Sequence, residues 1–90
     1  MLGLSRLEKH AELVERMAET LGVDLTEEQM TARMTPEDLH ETVLRCTTCL
    51  EEGACQQFLT LNHDRGADTA PGFCRNKALL EAMRPTDSEA

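Results

Sequence analysis

The chain has 90 residues, a net charge of −8 and only two aromatic side chains, both Phe. Its length predicts one small domain, and a core built from Leu, Met, Ala and Val favours packed helices over a sheet. An acidic surface without a stripe of Lys and Arg repels phosphate groups, so we expect binding to neither nucleic acid nor an anionic membrane.

The start of the chain reaches a charged residue at Arg6, and no apolar run is long enough to cross a bilayer. We therefore expect neither a signal peptide nor a membrane-spanning helix, and we predict a cytoplasmic location. Thiols are kept reduced in that compartment, which favours free cysteines or metal ligands over disulfides.

The first helix is predicted from an apolar stripe whose members recur every three or four residues. It begins near Ser5, and Gly22 is well placed to stop it. We expect the stripe to pack inside its own domain. A weak homodimer through this helix, or an unknown protein partner on its acidic face, is the alternative to a plain monomer. The stripe comprises Leu4, Leu7, Ala11, Val14, Ala18 and Leu21.

Two further helix starts follow. A short second helix is predicted after Asp24 or Thr26, either of which has a side chain suited to an N-cap. The third helix has a stronger start, with Thr35 as N-cap and Pro36 at the first helical position, and it should run to about Thr48.

The last two helices are separated by a polar loop. We expect Gly53 to break the chain before a fourth helix that ends near Asn62, and a fifth helix is predicted over residues 73–83. The resulting fold class is all-α: a single bundle of about five helices in residues 1–84, followed by a disordered tail at residues 85–90. His10 and His40 are expected on helix surfaces.

Four cysteines carry the strongest functional signal, and all of them lie in the second half of the chain. On regular helices Cys46 and Cys49 are one turn apart, a spacing too wide for an unstrained disulfide but suitable for a metal between two thiolates. Cys55 follows a turn, and Cys74 is expected at the start of the last helix, where the helix dipole favours a thiolate. The sequence therefore predicts that the C-terminal helices converge on one four-cysteine metal site.

Zinc is the first choice for this site, because four-cysteine sites in intracellular domains usually hold it. An iron–sulfur cluster is the alternative, since it is also held by four thiolates, and the first three cysteines are spaced similarly to the cluster loop of helical DNA glycosylases. Inert buried thiols or disulfides are the third interpretation. His63 is a minor candidate to replace one ligand, and a solvated loop histidine is its ordinary alternative.

Basic residues flank the cysteines in an otherwise acidic chain: Arg45 precedes Cys46, and Arg75 and Lys77 follow Cys74. Such cations would offset the negative charge of a thiolate site. The chain contains no phosphate-binding loop, nucleophile elbow or paired-histidine motif, so we expect a protein that is not an enzyme.

Three cysteine-containing segments, together with the first helix, resemble a small uncharacterised bacterial family. The segments are VLRCTTC at residues 43–49, ACQQFL at 54–59 and APGFCRNK at 70–77, and the helix segment is LEKHAEL at 7–13. This resemblance implies that the cysteines are the signature of the family, and it implies no activity.

These observations predict a non-enzymatic protein in which a metal stabilises the fold and which serves as a protein-interaction or regulatory module. The competing functions are an iron–sulfur electron carrier and a thiol redox switch that releases metal on oxidation. A helical bundle with inert or disulfide-bonded cysteines is the remaining alternative.

Overall fold

The computed structural model describes the backbone of residues 2–84 and the side chains of residues 6–84. Within that range the secondary structure is entirely helical, which confirms the all-α prediction. The predicted tail at residues 85–90 lies outside the described residues. The five helices are α1 (Leu2–Thr20), α2 (Leu25–Met30), α3 (Pro36–Thr47), α4 (Glu52–Leu61) and α5 (Lys77–Ala82).

The apolar stripe of α1 forms one wall of the core. α1 packs mainly against α3 and also contacts α4 and α2. The stripe residues Val14, Ala18 and Leu21 are buried, as we expected for a helix that packs on its own domain. Leu59 of α4 and Leu80 of α5 belong to the same buried core.

Local capping signals set most helix boundaries. Gly22 adopts a φ of 81° just after α1, which a side chain would disfavour. Asp24, rather than Thr26, caps α2 by accepting a hydrogen bond from the backbone N–H of Glu27 at 3.1 Å. The predicted cap of α3 is present as a reciprocal capping box between Thr35 and Asp38.

α2 ends at a turn that the sequence did not indicate. Ala32 follows the helix with a φ of 64°, a left-handed conformation that is costly for a residue with a Cβ atom. The turn is held by Glu28, a buried carboxylate that accepts two hydrogen bonds from the Arg33 guanidinium, at 3.1 and 3.2 Å. This ion pair stabilises a turn that glycine would otherwise suit better.

His10 does not lie on the helix surface, where the sequence placed it. It is 3% exposed, and its Nδ1 lies 2.9 Å from the backbone oxygen of Arg6. Its Nε2 lies 3.6 Å from a carboxylate oxygen of Glu52, which also pairs with Lys9. Because α4 packs over this part of α1, the polar residue His10 is buried although the sequence placed it on the surface.

Candidate metal centre

The first two cysteines lie at the end of α3. Cys46 belongs to the last turn of the helix, which ends at Thr47. Cys49 lies beyond the C-cap residue Thr48, and its N–H donates to the backbone oxygen of Cys46 at 3.1 Å. The prediction that both cysteines sit on a regular helix is therefore wrong for Cys49, because the chain leaves the α-helix one residue earlier.

The other two cysteines come from α4 and from the turn before α5. Cys55 lies in the first half of α4, and Gly53 is the second residue of that helix rather than a break before it. α5 begins at Lys77, so Cys74 precedes it by three residues and does not occupy the predicted helix start. The two turns over residues 72–76 replace the first turn of the predicted fifth helix.

Three of the four thiols have raised pKa values. Burial raises the pKa of Cys46 to about 12, and the neighbouring Cys55, Cys74 and Cys49 add to this rise. Burial also raises the pKa of Cys55 to about 11, with Cys74 and Cys49 contributing. The pKa of Cys74 is raised for the same first reason, burial. Cys46, Cys55 and Cys74 are half-buried and pack beside the core, and Cys49 is half-buried as well.

Two of the sulfur atoms accept backbone hydrogen bonds from the residue two positions further along the chain. The N–H of Glu51 donates to Sγ of Cys49 at 3.4 Å. The N–H of Asn76 bonds the thiol of Cys74 and partly lowers its pKa against the effect of burial. Backbone N–H donors that point at sulfur stabilise negative charge there, which is how proteins tune metal-bound thiolates.

The Cys49 thiol also contacts a hydrogen-bond acceptor, which would repel a thiolate. Its Sγ lies 3.9 Å from the backbone oxygen of Phe73, with the S–H as donor. This contact joins the end of α3 to the turn that carries Cys74, and it belongs to the protonated form of Cys49.

The cations that act on the cysteines agree only in part with those expected. Lys77 lowers the pKa of Cys74, as its position in sequence suggested, and Arg16 of α1 lowers that of Cys55. Arg45 instead donates from Nε to the side-chain oxygen of Asn76 at 2.9 Å. The sequence could not indicate Arg16, because it lies far away along the chain and approaches the cysteines only through the packing of α1.

Asn76 is a second residue that sequence reasoning missed. Its side chain is buried and joins the turn before α5 to α3: it accepts from Arg45 and donates to the backbone oxygen of Thr42 at 2.9 Å. Its own N–H bonds the sulfur of Cys74. The only signal in the sequence was its position directly between the basic neighbours of Cys74.

The side chains as they stand do not form a finished metal site. Within residues 6–84, no three His, Cys, Asp or Glu side chains form a group with the geometry of a metal site. All four cysteines are free thiols. His63 is 76% exposed and its Nδ1 lies 2.9 Å from a carboxylate oxygen of Asp64, so it faces solvent. Convergence on a single ligand set stays a prediction.

Comparison with known families decides the classification. Residues 1–86 match a family that is described as a family of unknown function, DUF6455. The chain belongs to this family. The prediction of an uncharacterised family is thereby confirmed, and the description of DUF6455 carries no activity. No curated protein and no solved structure matches the chain. No helix in the described part of this DUF6455 protein is long and apolar enough to cross a membrane.

Proposed function

We propose that this DUF6455 protein is a small, non-enzymatic cytoplasmic protein whose fold is stabilised by one metal ion bound to Cys46, Cys49, Cys55 and Cys74. Zinc is the proposed metal. The observation that carries this proposal is that, beyond the effect of burial, neighbouring cysteines add to the raised pKa values of Cys46, Cys55 and Cys74. Four cysteine sulfurs are a donor set that zinc prefers.

The raised pKa values also indicate how the free thiols behave. A thiol whose pKa is about 11 or 12 is almost wholly protonated at neutral pH, and the protonated thiol is a poor nucleophile. This argues against a redox switch that starts from a reactive free thiolate. Metal binding supplies a reason to ionise the cluster, since a bound divalent ion displaces the thiol protons.

Binding requires the four sulfurs to turn toward a common centre. Rotation about χ1 moves a cysteine sulfur between staggered positions without moving the backbone. Loss of the S–H proton on metal binding would release the Cys49 contact with Phe73, and the N–H groups of Glu51 and Asn76 are available as donors to the thiolates of Cys49 and Cys74. Lys77 and Arg16 would offset part of the negative charge.

An iron–sulfur electron carrier is the competing proposal, and the N–H donors at Cys49 and Cys74 favour it as well, since such bonds tune cluster potentials. The half-buried position of the cysteines suits either metal. A partner for such a module would dock on the exposed acidic face of α1, because Val14, Ala18 and Leu21 of its apolar stripe are already buried in the core.

Metal analysis of protein purified without air and without chelator tests the proposal. We expect about one zinc per chain, no visible colour, and a fall in the melting temperature when a chelator removes the ion. A brown protein that contains iron and acid-labile sulfide would instead establish the competing cluster.

Replacement of one proposed ligand, compared with a control substitution nearby, tests the metal site a second time. Cys74→Ser should lower the bound zinc severalfold and reduce the melting temperature, because serine is a much weaker zinc ligand than cysteine. Ala54→Ser, which adds a hydroxyl beside Cys55 in α4 and removes no sulfur, should keep the full metal content. Metal-free wild-type protein with an unchanged melting temperature in chelator would reject the metal site.

A further inference from the structure

A cleft beside the C-terminal end of α1 collects arginines in this acidic protein. Its volume is about 400 Å³, and it is bounded by α1, α4 and the loop that follows α4. Three of the nine Lys and Arg side chains of the chain line it, although the net charge of the whole protein is −8. The three are Arg16, Arg65 and Arg84.

The walls of the cleft are held in place by hydrogen bonds. Arg84 donates from Nε to the backbone oxygen of Leu21 at 2.8 Å, which fixes its guanidinium from behind. The loop is tied to the end of α1 by a bond of 2.9 Å from the N–H of Ala67 to the oxygen of Thr20. The cleft is therefore formed before any ligand arrives, which lowers the entropic cost of binding.

Two of the three arginines, Arg16 and Arg84, are less exposed than the carboxylates of the cleft, whereas Arg65 is exposed as they are. The side chains of Asp64 and Asp68 are 98% and 93% exposed, whereas that of Arg84, which contacts Asp68 at 3.3 Å, is only 28% exposed. Arg16 is half-buried and has no hydrogen-bond or ion-pair partner among the described residues. Glu19, the third carboxylate of the lining, is exposed as well.

We propose that this cleft binds a small, doubly charged oxyanion of the phosphate or dicarboxylate type through Arg16 and Arg84. The planar fork of a guanidinium matches two oxygens of such a group, and two guanidinium groups match its double charge. The net charge of the protein repels anions at long range, so the affinity is modest and falls with added salt.

An NMR titration of ¹⁵N-labelled protein with inorganic phosphate, and separately with succinate, tests the proposal. Sodium chloride keeps the ionic strength constant. The amides of Gly22 and Gly66, which line the cleft, should shift in a saturable way with a dissociation constant of about 1–10 mM. Whichever of the two anions binds more tightly identifies the ligand type. Failure of both to shift these amides would overturn the proposal, and this result needs no variant.

Arg16→Gln should weaken binding by about tenfold or more, because it removes a charge-assisted pair of hydrogen bonds. Arg75→Gln removes the same charge from an exposed position outside the cleft and should bind as the wild type does. Equal weakening in both variants would show a general charge effect and contradict the proposal. Metal content is measured in parallel. Loss of metal with unchanged anion affinity in Arg16→Gln would mean that Arg16 serves only the cysteines.

Discussion

At the scale of single residues, Asn76 connects the candidate metal centre to the rest of the fold. It is 3% exposed, and both ends of its amide are satisfied by groups on α3. Its backbone N–H meets the thiol of Cys74. A buried amide with two good partners holds the turn in one position, because every alternative position leaves a buried polar group unpaired.

Asn76→Ala should therefore destabilise the protein by about 1–3 kcal/mol, since it removes the donor to the backbone oxygen of the fully buried Thr42 and breaks the bond to Arg45. Urea unfolding measures this loss. Asn62→Ala is the matched control: Asn62 is less buried, its amide donates to the backbone oxygen of Phe58, and water can replace that bond, so a loss below about 1 kcal/mol is expected. Equal losses in the two variants would contradict the special role of Asn76.

Single residues also show where the helical pattern misleads. His10 falls among polar positions of α1 but is buried against α4, whereas the similarly polar His40 is exposed as expected. The hydrophobic period identifies which stripe of a helix is apolar, but it does not tell how far a neighbouring helix covers the flanks of that stripe.

At the scale of elements, local side-chain chemistry determines where helices begin. The start of α3 is the strongest example: the hydroxyl of Thr35 accepts from the N–H of Asp38 at 3.0 Å, and the carboxylate of Asp38 accepts from the N–H of Thr35 at 3.0 Å. These bonds lower the pKa of Asp38 below its usual value. All the partners lie within four residues, which is why the sequence predicted this start correctly.

Thr35→Ala should reduce stability by about 1 kcal/mol, because an alanine N-cap leaves the N–H of Asp38 without its partner. Thr26→Ala provides the comparison, because Thr26 is an exposed threonine inside α2 whose cap is Asp24. We expect less than about 0.5 kcal/mol there. Chemical denaturation of both variants measures these losses. A larger loss for Thr26→Ala than for Thr35→Ala would contradict the assignment of Asp24 as the N-cap of α2.

The fifth helix shows the limit of local signals. Residues 73–83 contain apolar residues at helical spacing, yet only Lys77–Ala82 form an α-helix. The earlier residues are drawn into turns because Asn76 bonds to α3 and because Phe73 contacts Cys49. Both contacts join residues more than 20 positions apart, so no local pattern reports them.

At the scale of the whole molecule, the stability of the metal-free protein should depend on the ionisation of its cysteines. The folded pKa values of about 12 for Cys46 and about 11 for Cys55 lie above the ordinary value of 9.0, chiefly because of burial. At pH values between 9.0 and these raised pKa values, the thiols bind fewer protons in the unfolded chain than in the folded protein. The contribution of the thiols to stability is then fully present below pH 9 and is lost as the pH rises toward 12.

Urea unfolding in the presence of a chelator at pH 8 and pH 10 should show this decline. The Cys46→Ala variant removes the thiol with the larger rise in pKa, and its stability should fall less steeply over the same interval. An identical slope in the variant would mean that groups other than Cys46 cause the alkaline loss.

The sequence by itself determined the helical class, the apolar stripe of α1, the end of α1 at Gly22 and the N-cap of α3 at Thr35. It also identified the four cysteines as the main candidates for function. These follow from spacing and from hydrogen bonds within a few residues, which any chain of this sequence forms. The tertiary structure alone decided that Cys74 lies in a turn, that Asn76 and Arg16 adjoin the cysteines, and that arginines line a cleft in an acidic protein. The reason is physical: these features depend on burial and on contacts between α1, α3 and the loop before α5, where distant segments constrain one another.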